Sequence, residues 1–554
     1  MTRSRLPAIL LHAVLYLFGL WFYAYVLGFG RIPLNVFDWP LFTQHFTILK
    51  LALKQGVIPF HAYLFKEEVV GSLANAIQTK YFARVHLMIA PHLLVALRWL
   101  DVTAAIFFHV FVSYTVGYVG LLKLCRQNAL DRLSFCLLYA VLCLGGFTVS
   151  KLLAGQLNDM GYFLLPWVLL YAQWLLGISA TDTSTKHGTL NAVIKLSLVL
   201  VYATLEGSLH VLYIYLLILG FLFLLRSHRT RLVLAGVLLL LCIGGAIRFL
   251  PILTLAKGYL DPTVRDQVWA GYGTRWWSAI QCHPRSPTCW LTDLAFGLTA
   301  LRPFSEDTCW SYWEFNAYIG LTGVILIVLG GGFLYVKRQE LMTWIAPADP
   351  QGFKRSHRLL VISGMLCGLF VLGNVYGKVF GTLFLLLRLP HVNQVPTRMV
   401  VYPLFLFACY AVAGWQAVRR SEGKPKLLTV IQTALTVLTI VACVEHATYW
   451  NMGTVARELA VWEADTLDDP DAIDGPDLKA QVLNYPSKFT LEAGLLERPV
   501  SSAYRWIMGV SAGLSLSYVL ALVGYAIFHG VGPSRLQLAT AWGKRSRTRH
   551  GGVA

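Results

Sequence analysis

The chain is 554 residues long, 56% hydrophobic and only 13% charged, with a mean hydropathy of +0.60. Soluble domains carry about 25% charged residues, so this composition excludes a water-soluble globular protein and indicates an all-α polytopic membrane protein. The net charge of +18 would suit a nucleic-acid binder in a soluble chain; here the basic residues sit in short links between apolar runs, with no aromatic-interleaved stripe, so no nucleic-acid partner is expected.

About twelve apolar runs are long enough to span a bilayer as helices, near residues 6–29, 102–122, 133–154, 161–179, 190–205, 208–225, 232–256, 316–336, 359–374, 399–418, 427–446 and 507–529. The first follows a basic N-terminus but is too long for a signal-peptide core and lacks a small-residue cleavage site, so it is expected to remain as an anchor. The links after the even-numbered spans are basic: Lys123, Arg126 and Arg132, then Lys186, then Arg226, Arg229 and Arg231, then Lys337, Arg338, Lys354, Arg355 and Arg358, then Arg419, Arg420, Lys424 and Lys426. The ends of the chain are basic too, so the positive-inside rule predicts that both termini are cytoplasmic.

Three segments on the opposite side are long enough to carry a site. The first, 30–101, opens with an Asp38-Trp39 pair beyond the first span. It continues into a helix over Thr43 to Gln55, with Thr47, Lys50 and Lys54 on one face and Phe46, Ile48, Leu49, Ala52 and Leu53 opposite. That pattern predicts a helix lying in the interface, followed by a Gly-x-x-Pro turn. The second segment, 257–315, is rich in tryptophan and holds three cysteines. Cys282 and Cys289 bracket the short loop HPRSPT and are expected to form a disulfide in an oxidising space, with zinc binding by Cys282, His283 and Cys289 as the alternative; Cys309 is left over. The other seven cysteines fall in or beside spans, where thiols pack as small apolar groups. The third segment, 447–506, carries the acidic run DTLDDPDAIDGPD, which is read as a solvated loop because no calcium-loop register fits it.

Ionisable residues within or at the ends of apolar spans are costly and stand out for that reason. Lys151 and Asp159 bracket the turn between the third and fourth spans, either paired with each other or lining a cavity. Glu206 and His210 flank the next outer turn, as an acceptor-binding pair or a structural pair at a helix end. Glu314 precedes the eighth span, as a second acidic group at the site or an ordinary interfacial residue. Arg388, His391 and Arg398 cluster at the outer start of the tenth span. Arg398 suits a phosphate by bidentate contact, against the plainer reading of an arginine snorkelling to the interface. Arg248 reads as a satisfied interior charge. For Asp38, the plainer reading is a helix N-cap.

The order of span, Asp-Trp, amphipathic helix, Gly-x-x-Pro and second span resembles the GT-C superfamily of polytopic glycosyltransferases, in particular a bacterial branch with a first-loop Trp/Asp motif. GQLNDMGYFLLPWVLLY (Gly155 to Tyr171) is similar to that branch's Gly-His segment, with Gln156 where His is usual. LEGSLHVLYIYLL (Leu205 to Leu217) resembles its second such turn. YWEFNAYIGLTGVILIVLGG (Tyr312 to Gly331) and LPHVNQVPTRMVVYPLFLFACYAVAG (Leu389 to Gly414) are similar to its Glu...Tyr-Ile-Gly and Pro-x-Arg spans. After the Gly-x-x-Pro turn, His61-Ala62-Tyr63 replaces the usual Trp-Asn-Pro.

The resemblance implies a GT-C-like transmembrane domain over 1–446, including the outer loops 30–101 and 257–315, then an acidic extracytoplasmic segment 447–506 and a last span with a basic tail over 507–554. It implies transfer of a sugar from a polyprenyl-phosphate donor to a glycan, lipid or protein acceptor at the outer face of a bacterial inner membrane. Asp38 would then be the general base, and Arg398, Arg388 and His391 would hold the donor phosphate. The reading requires no cofactor, and a divalent metal at the departing phosphate stays open. The alternatives are a transporter or flippase of lipid-linked glycans, and a non-catalytic membrane assembly protein.

Overall fold

The computed structural model describes residues 6–30, 39, 42–43, 46, 49–50, 53–54, 88–176, 186–225, 228–251, 294–296, 316–336, 350–371, 396–421, 425–450 and 502–530, and among them there is helix but no strand. Helix α1 (Leu6–Val26) is followed by a 3-10 turn at Gly28–Gly30. The short α2 (Pro91–Trp99) then leads into the long α3 (Val102–Gln127). The third apolar run is broken into α4 (Arg132–Tyr139), a π turn (Ala140–Leu144) and α5 (Gly146–Leu153). A 3-10 segment (Leu157–Leu164) feeds α6 (Leu165–Leu175), and α7 (Lys186–Leu205), α8 (Leu209–Leu224) and α9 (His228–Gly244) follow. The remaining elements are α10 (Gly320–Val336), α11 (Pro350–Val371), a 3-10 turn (Pro396–Val400) leading into α12 (Val401–Ser421), α13 (Pro425–Trp450) and α14 (Ser502–Gly530).

Seven of these stretches are long and apolar enough to cross a bilayer: Ile9–Val26, Val102–Gln127, Arg132–Leu153, Gly188–Leu205, Arg398–Arg420, Lys426–Tyr449 and Trp506–Tyr525. Leu209–Leu224, Thr230–Gly244, Gly320–Val336 and Arg358–Val371 are shorter apolar helices. With the 3-10/α6 stretch, they occupy every position at which the sequence shows an apolar run. Large apolar side chains stand outward on them: Leu17 and Leu520 are each 61% exposed and Val430 65%. Such faces need lipid as their solvent, and the chain is a multi-pass helical membrane protein.

The fourth run departs from the expected single span over 161–179. Asp159 and Gly161 fall in the tight 3-10 segment, and Pro166 sits in the first turn of α6, where its missing N–H costs no hydrogen bond. The break in the third run is likewise satisfied from outside. The Gly146 N–H donates to the Tyr318 carbonyl at 2.7 Å, and the Thr148 hydroxyl donates to the Leu142 carbonyl at 2.9 Å. A discontinuous helix within the membrane requires such substitutes, because no water is there to meet the freed groups.

The first spans are locked by aromatic residues whose hydroxyls reach across to neighbouring backbones. Tyr118 donates to the His12 carbonyl at 2.7 Å and Tyr139 to the Leu15 carbonyl at 3.0 Å, while Tyr23 donates to the Cys143 carbonyl. Cys143 is buried and free, as are Cys125, Cys367 and Cys443, in keeping with thiols used as small core groups. Helices α10 and α12 approach closely enough to need glycine. A methyl on Gly414 would land on the Gly330 carbonyl oxygen, and one on Gly330 would meet the Ala411 carbonyl. Gly330→Ala or Gly414→Ala is therefore expected to cost about 1–3 kcal/mol by forcing the two backbones apart. Thermal unfolding in detergent should show a lower midpoint for each, whereas Gly331→Ala, with open space around its added methyl, should melt with the parent.

The basic end of the bundle is joined by polar side chains. Asp131 caps α4 by accepting from the Ser134 N–H at 2.9 Å and pairs with Arg419 at the end of α12. Gln416 accepts from the Asp131 N–H at 3.1 Å and donates to the Ala129 carbonyl at 2.9 Å. Burial raises the Asp131 carboxyl, but the Ser134 hydrogen bonds and the Arg419 guanidinium outweigh it and hold it below its ordinary value. A carboxyl depressed in the folded state adds stability above its unfolded pKa of about 3.9 and loses it as the pH falls through the lowered folded value. Asp131→Asn, which keeps the capping oxygen and loses the charge, should thus destabilise the protein at pH 7 by up to about 1 kcal/mol through the lost pair with Arg419, with the gap to the parent closing on acidification below about pH 4. A gap that is constant from pH 7 to pH 3 would contradict this ionic role.

Candidate functional site

The 26 residues of α3 rise about 39 Å, so its N-terminal end lies far from the Asp131–Arg419 cluster. At that far end, elements distant in sequence converge. Residues 39, 42, 43, 46, 49, 50, 53 and 54 are helical, and Phe42, Phe46 and Leu49 are buried at helical spacing while Lys54 is exposed. The described residues of the first loop thus follow an amphipathic helical pattern, with Phe42, Phe46 and Leu49 against the core. The Thr43 hydroxyl donates to the Trp39 carbonyl at 2.8 Å, as fits its first turn.

Trp39 ties this helix to the turn after α5. Its indole N–H donates to the Leu153 carbonyl at 3.0 Å, and its ring lies over Gly155. Only glycine fits there: Gly155 has φ +78°, and a Cβ would come within 2.7 Å of the Trp39 backbone nitrogen. Behind that contact, Lys151 donates to the Gln156 side-chain oxygen at 2.7 Å, and its ammonium lies 3.6 Å from an Asp159 carboxylate oxygen. Both charged side chains are only 1% exposed. Lys151 and Asp159 therefore form a buried ion pair beneath the turn.

Two further contacts complete the cluster. Ser208, in the turn between α7 and α8, donates to the Asn158 carbonyl. The Tyr162 hydroxyl donates to the Arg398 carbonyl at 2.6 Å, fixing the 3-10 turn that carries Arg398 against the 3-10 segment that carries Asp159. Arg398 is 9% exposed. The helical residues that follow Trp39, the Lys151–Asp159 turn, the Glu206–His210 turn and the Arg398 segment are thereby brought to one end of the bundle.

His210 lies in the first turn of α8, and Glu206 reaches across to α3. Its carboxylate accepts from the Ser113 hydroxyl at 2.8 Å and lies 3.8 Å from the His109 ring nitrogen Nε2. His109 Nδ1 is 2.9 Å from His92 Nε2, and His92 Nδ1 is 3.3 Å from the Tyr202 hydroxyl. The His92 ring stacks on both neighbours, with centroids 5.1 Å from His109 and 5.7 Å from Tyr202. The Ile89 N–H, which donates to the Leu205 carbonyl at 2.7 Å, holds the start of α2 over the end of α7 and so sets His92 in place. Burial pulls His92, outside the long spans, down to about 4, so its ring is neutral at rest. Sequence reading missed His92, His109 and Ser113. The one available signal was the i, i+4 spacing of His109 and Ser113 on an otherwise apolar helix.

Asp38, Arg388, His391, Glu314, Cys282, Cys289 and Cys309 lie outside the described residues, as does the acidic run of 447–506. Among the described residues, no group of three or more His, Cys, Asp or Glu side chains is placed to hold a metal ion. Arg248, fully buried beyond α9, is an interior charge as read from the sequence. Fold and site together define a multi-pass helical membrane protein with a buried, polar-linked cluster at the end opposite its Asp131–Arg419 clasp. No known protein family, curated protein or solved structure matches this chain.

Proposed function

We propose that this protein is a membrane glycosyltransferase of GT-C type with about twelve spans, moving a sugar from a polyprenyl-phosphate donor to a glycan, lipid or protein acceptor. The observation that carries the reading is the seating of Trp39, the chain neighbour of Asp38, on Gly155. It supports a shared site for the first-loop carboxylate, the turn at 151–159 and the Arg398 segment. Asp38 takes the acceptor hydroxyl proton as the oxygen attacks the anomeric carbon. The bond from that carbon to the phosphate oxygen breaks in the same displacement, so the configuration inverts and polyprenyl phosphate leaves. Arg398, Arg388 and His391 stabilise its charge.

In this reading the basic end faces the cytoplasm and the site faces outward across a bacterial inner membrane. The buried Lys151–Asp159 pair and Glu206 shape the floor of the site, which leaves contact with the acceptor to His210, partly exposed in the first turn of α8, and to Glu314. Purified protein given a labelled polyprenyl-phosphate sugar and envelope acceptors should transfer label and release polyprenyl phosphate. Arg398→Ala should raise the donor KM roughly 10- to 150-fold, the equivalent of about 1.5–3 kcal/mol for a charged hydrogen bond, and Arg398→Lys should raise it less. Unchanged donor KM in Arg398→Ala would remove Arg398 from the donor site.

One observation favours a second reading. The broken third span and the ionisable residues buried beside it are features of transporters. A flippase of lipid-linked glycans would move labelled lipid between leaflets of a vesicle without breaking the sugar–phosphate bond.

A further inference from the structure

Beyond sugar transfer, the geometry points to a proton-binding site between His109 and Glu206, loaded from the surface through His92. Exposure falls along this chain: His92 is partly exposed, and His109 and Glu206 are both 0% exposed. The distances are 2.9 Å from His92 to His109 and 3.8 Å from His109 to Glu206. At the inner end, His109 Nε2 lies 3.8 Å from Glu206 Oε1, which accepts from Ser113, and the other carboxylate oxygen, Oε2, is buried without a hydrogen-bond partner among the described residues. A buried carboxylate with an unpaired oxygen beside a buried imidazole is costly unless a proton is held between the two groups. A proton serves, held either as a carboxylic acid or as an imidazolium–carboxylate pair.

The transfer balances without any other reactant. A proton from surface water arrives on His92 Nδ1, directly or by way of the Tyr202 hydroxyl. The His92 Nε2 proton passes to His109 Nδ1, and the His109 Nε2 proton passes to the Glu206 carboxylate. Both rings end as the opposite neutral tautomer and reset by ring rotation or by the reverse transfer. Because His92 is neutral at rest, it carries the proton without trapping it. The other groups facing the chain are Ser113 of α3, Tyr202 of α7 and Tyr215 of α8. Each has a hydroxyl that remains protonated at neutral pH, which leaves the two histidines and Glu206 as the groups that titrate.

The test needs no sugar substrate, so its outcome is separate from that of the transferase reading. The full chain in lipid vesicles is stepped to lower pH while infrared absorption follows the carbonyl band of a protonated carboxyl group. The parent should gain this band and Glu206→Gln should lack it. Because Glu206 is buried, a second arm uses the partly exposed His92. His92→Phe keeps the ring stack and should reach the same final band, but on the order of 100-fold more slowly, as expected on losing a positioned proton carrier. A purely structural role would alter the extent and leave the rate unchanged. A band that persists in Glu206→Gln, or parental uptake kinetics in His92→Phe, would overturn the proposal.

Discussion

Asp38→Asn is expected to lower sugar transfer by about 10²- to 10⁴-fold, the range for removing a positioned general base, while leaving insertion and unfolding midpoint close to the parent. Asparagine keeps the size and the capping oxygen of aspartate, so a helix-capping role would survive the change largely intact. Loss of basicity is what remains to be felt. The comparison should be made in membranes matched for protein amount, with donor KM measured alongside kcat. A fall in kcat at constant KM marks a group that acts in the chemical step, whereas a rise in KM alone would make Asp38 a binding residue.

The second large effect concerns stability. Lys151 and Asp159 are almost wholly buried, and neither Asp159 oxygen has a hydrogen-bond partner among the described residues, so the lysine supplies the compensation for its charge. Lys151→Met should cost about 3–5 kcal/mol, because it strands a carboxylate in the bundle interior. Adding Asp159→Leu should recover most of that loss, since an apolar pair of similar volume avoids the desolvation penalty. Unfolding midpoints of the two single variants and the double variant close the thermodynamic cycle. If Lys151→Met alone melts with the parent, the pair contributes nothing to the turn beneath Trp39.

Span positions were legible because hydropathy reports them directly. α3, α12 and α13 lie where the 102–122, 399–418 and 427–446 runs place them. The first-loop helix was legible for the same reason, since Phe46 and Leu49 sit on the face that periodicity makes apolar. The break at Gly145 was not, because the run around it, 135–147, is apolar on both sides and the feature that stabilises the break, the Tyr318 carbonyl, lies far along the chain. Glu206 and Lys151 stood out as charges in apolar surroundings, but their partners did not. The Lys151 partner eight residues on was within reach of sequence reading as one of two options. Ser113 and His109, more than 90 positions before Glu206, become neighbours only through the packing of α3 against the end of α7.

The central claim is that the Asp-Trp helix, the turn at 151–159 and the Arg398 segment form one site for a polyprenyl-phosphate sugar. It is tested most directly by photo-crosslinking purified protein with a polyprenyl-phosphate analogue that carries its reactive group next to the phosphate, then mapping the labelled peptides. The account predicts labelling within the 38–54, 151–162 and 388–402 segments, suppressed by excess donor and reduced in Arg398→Ala. Saturable labelling confined to the opposite, Asp131–Arg419 end of the bundle would contradict it.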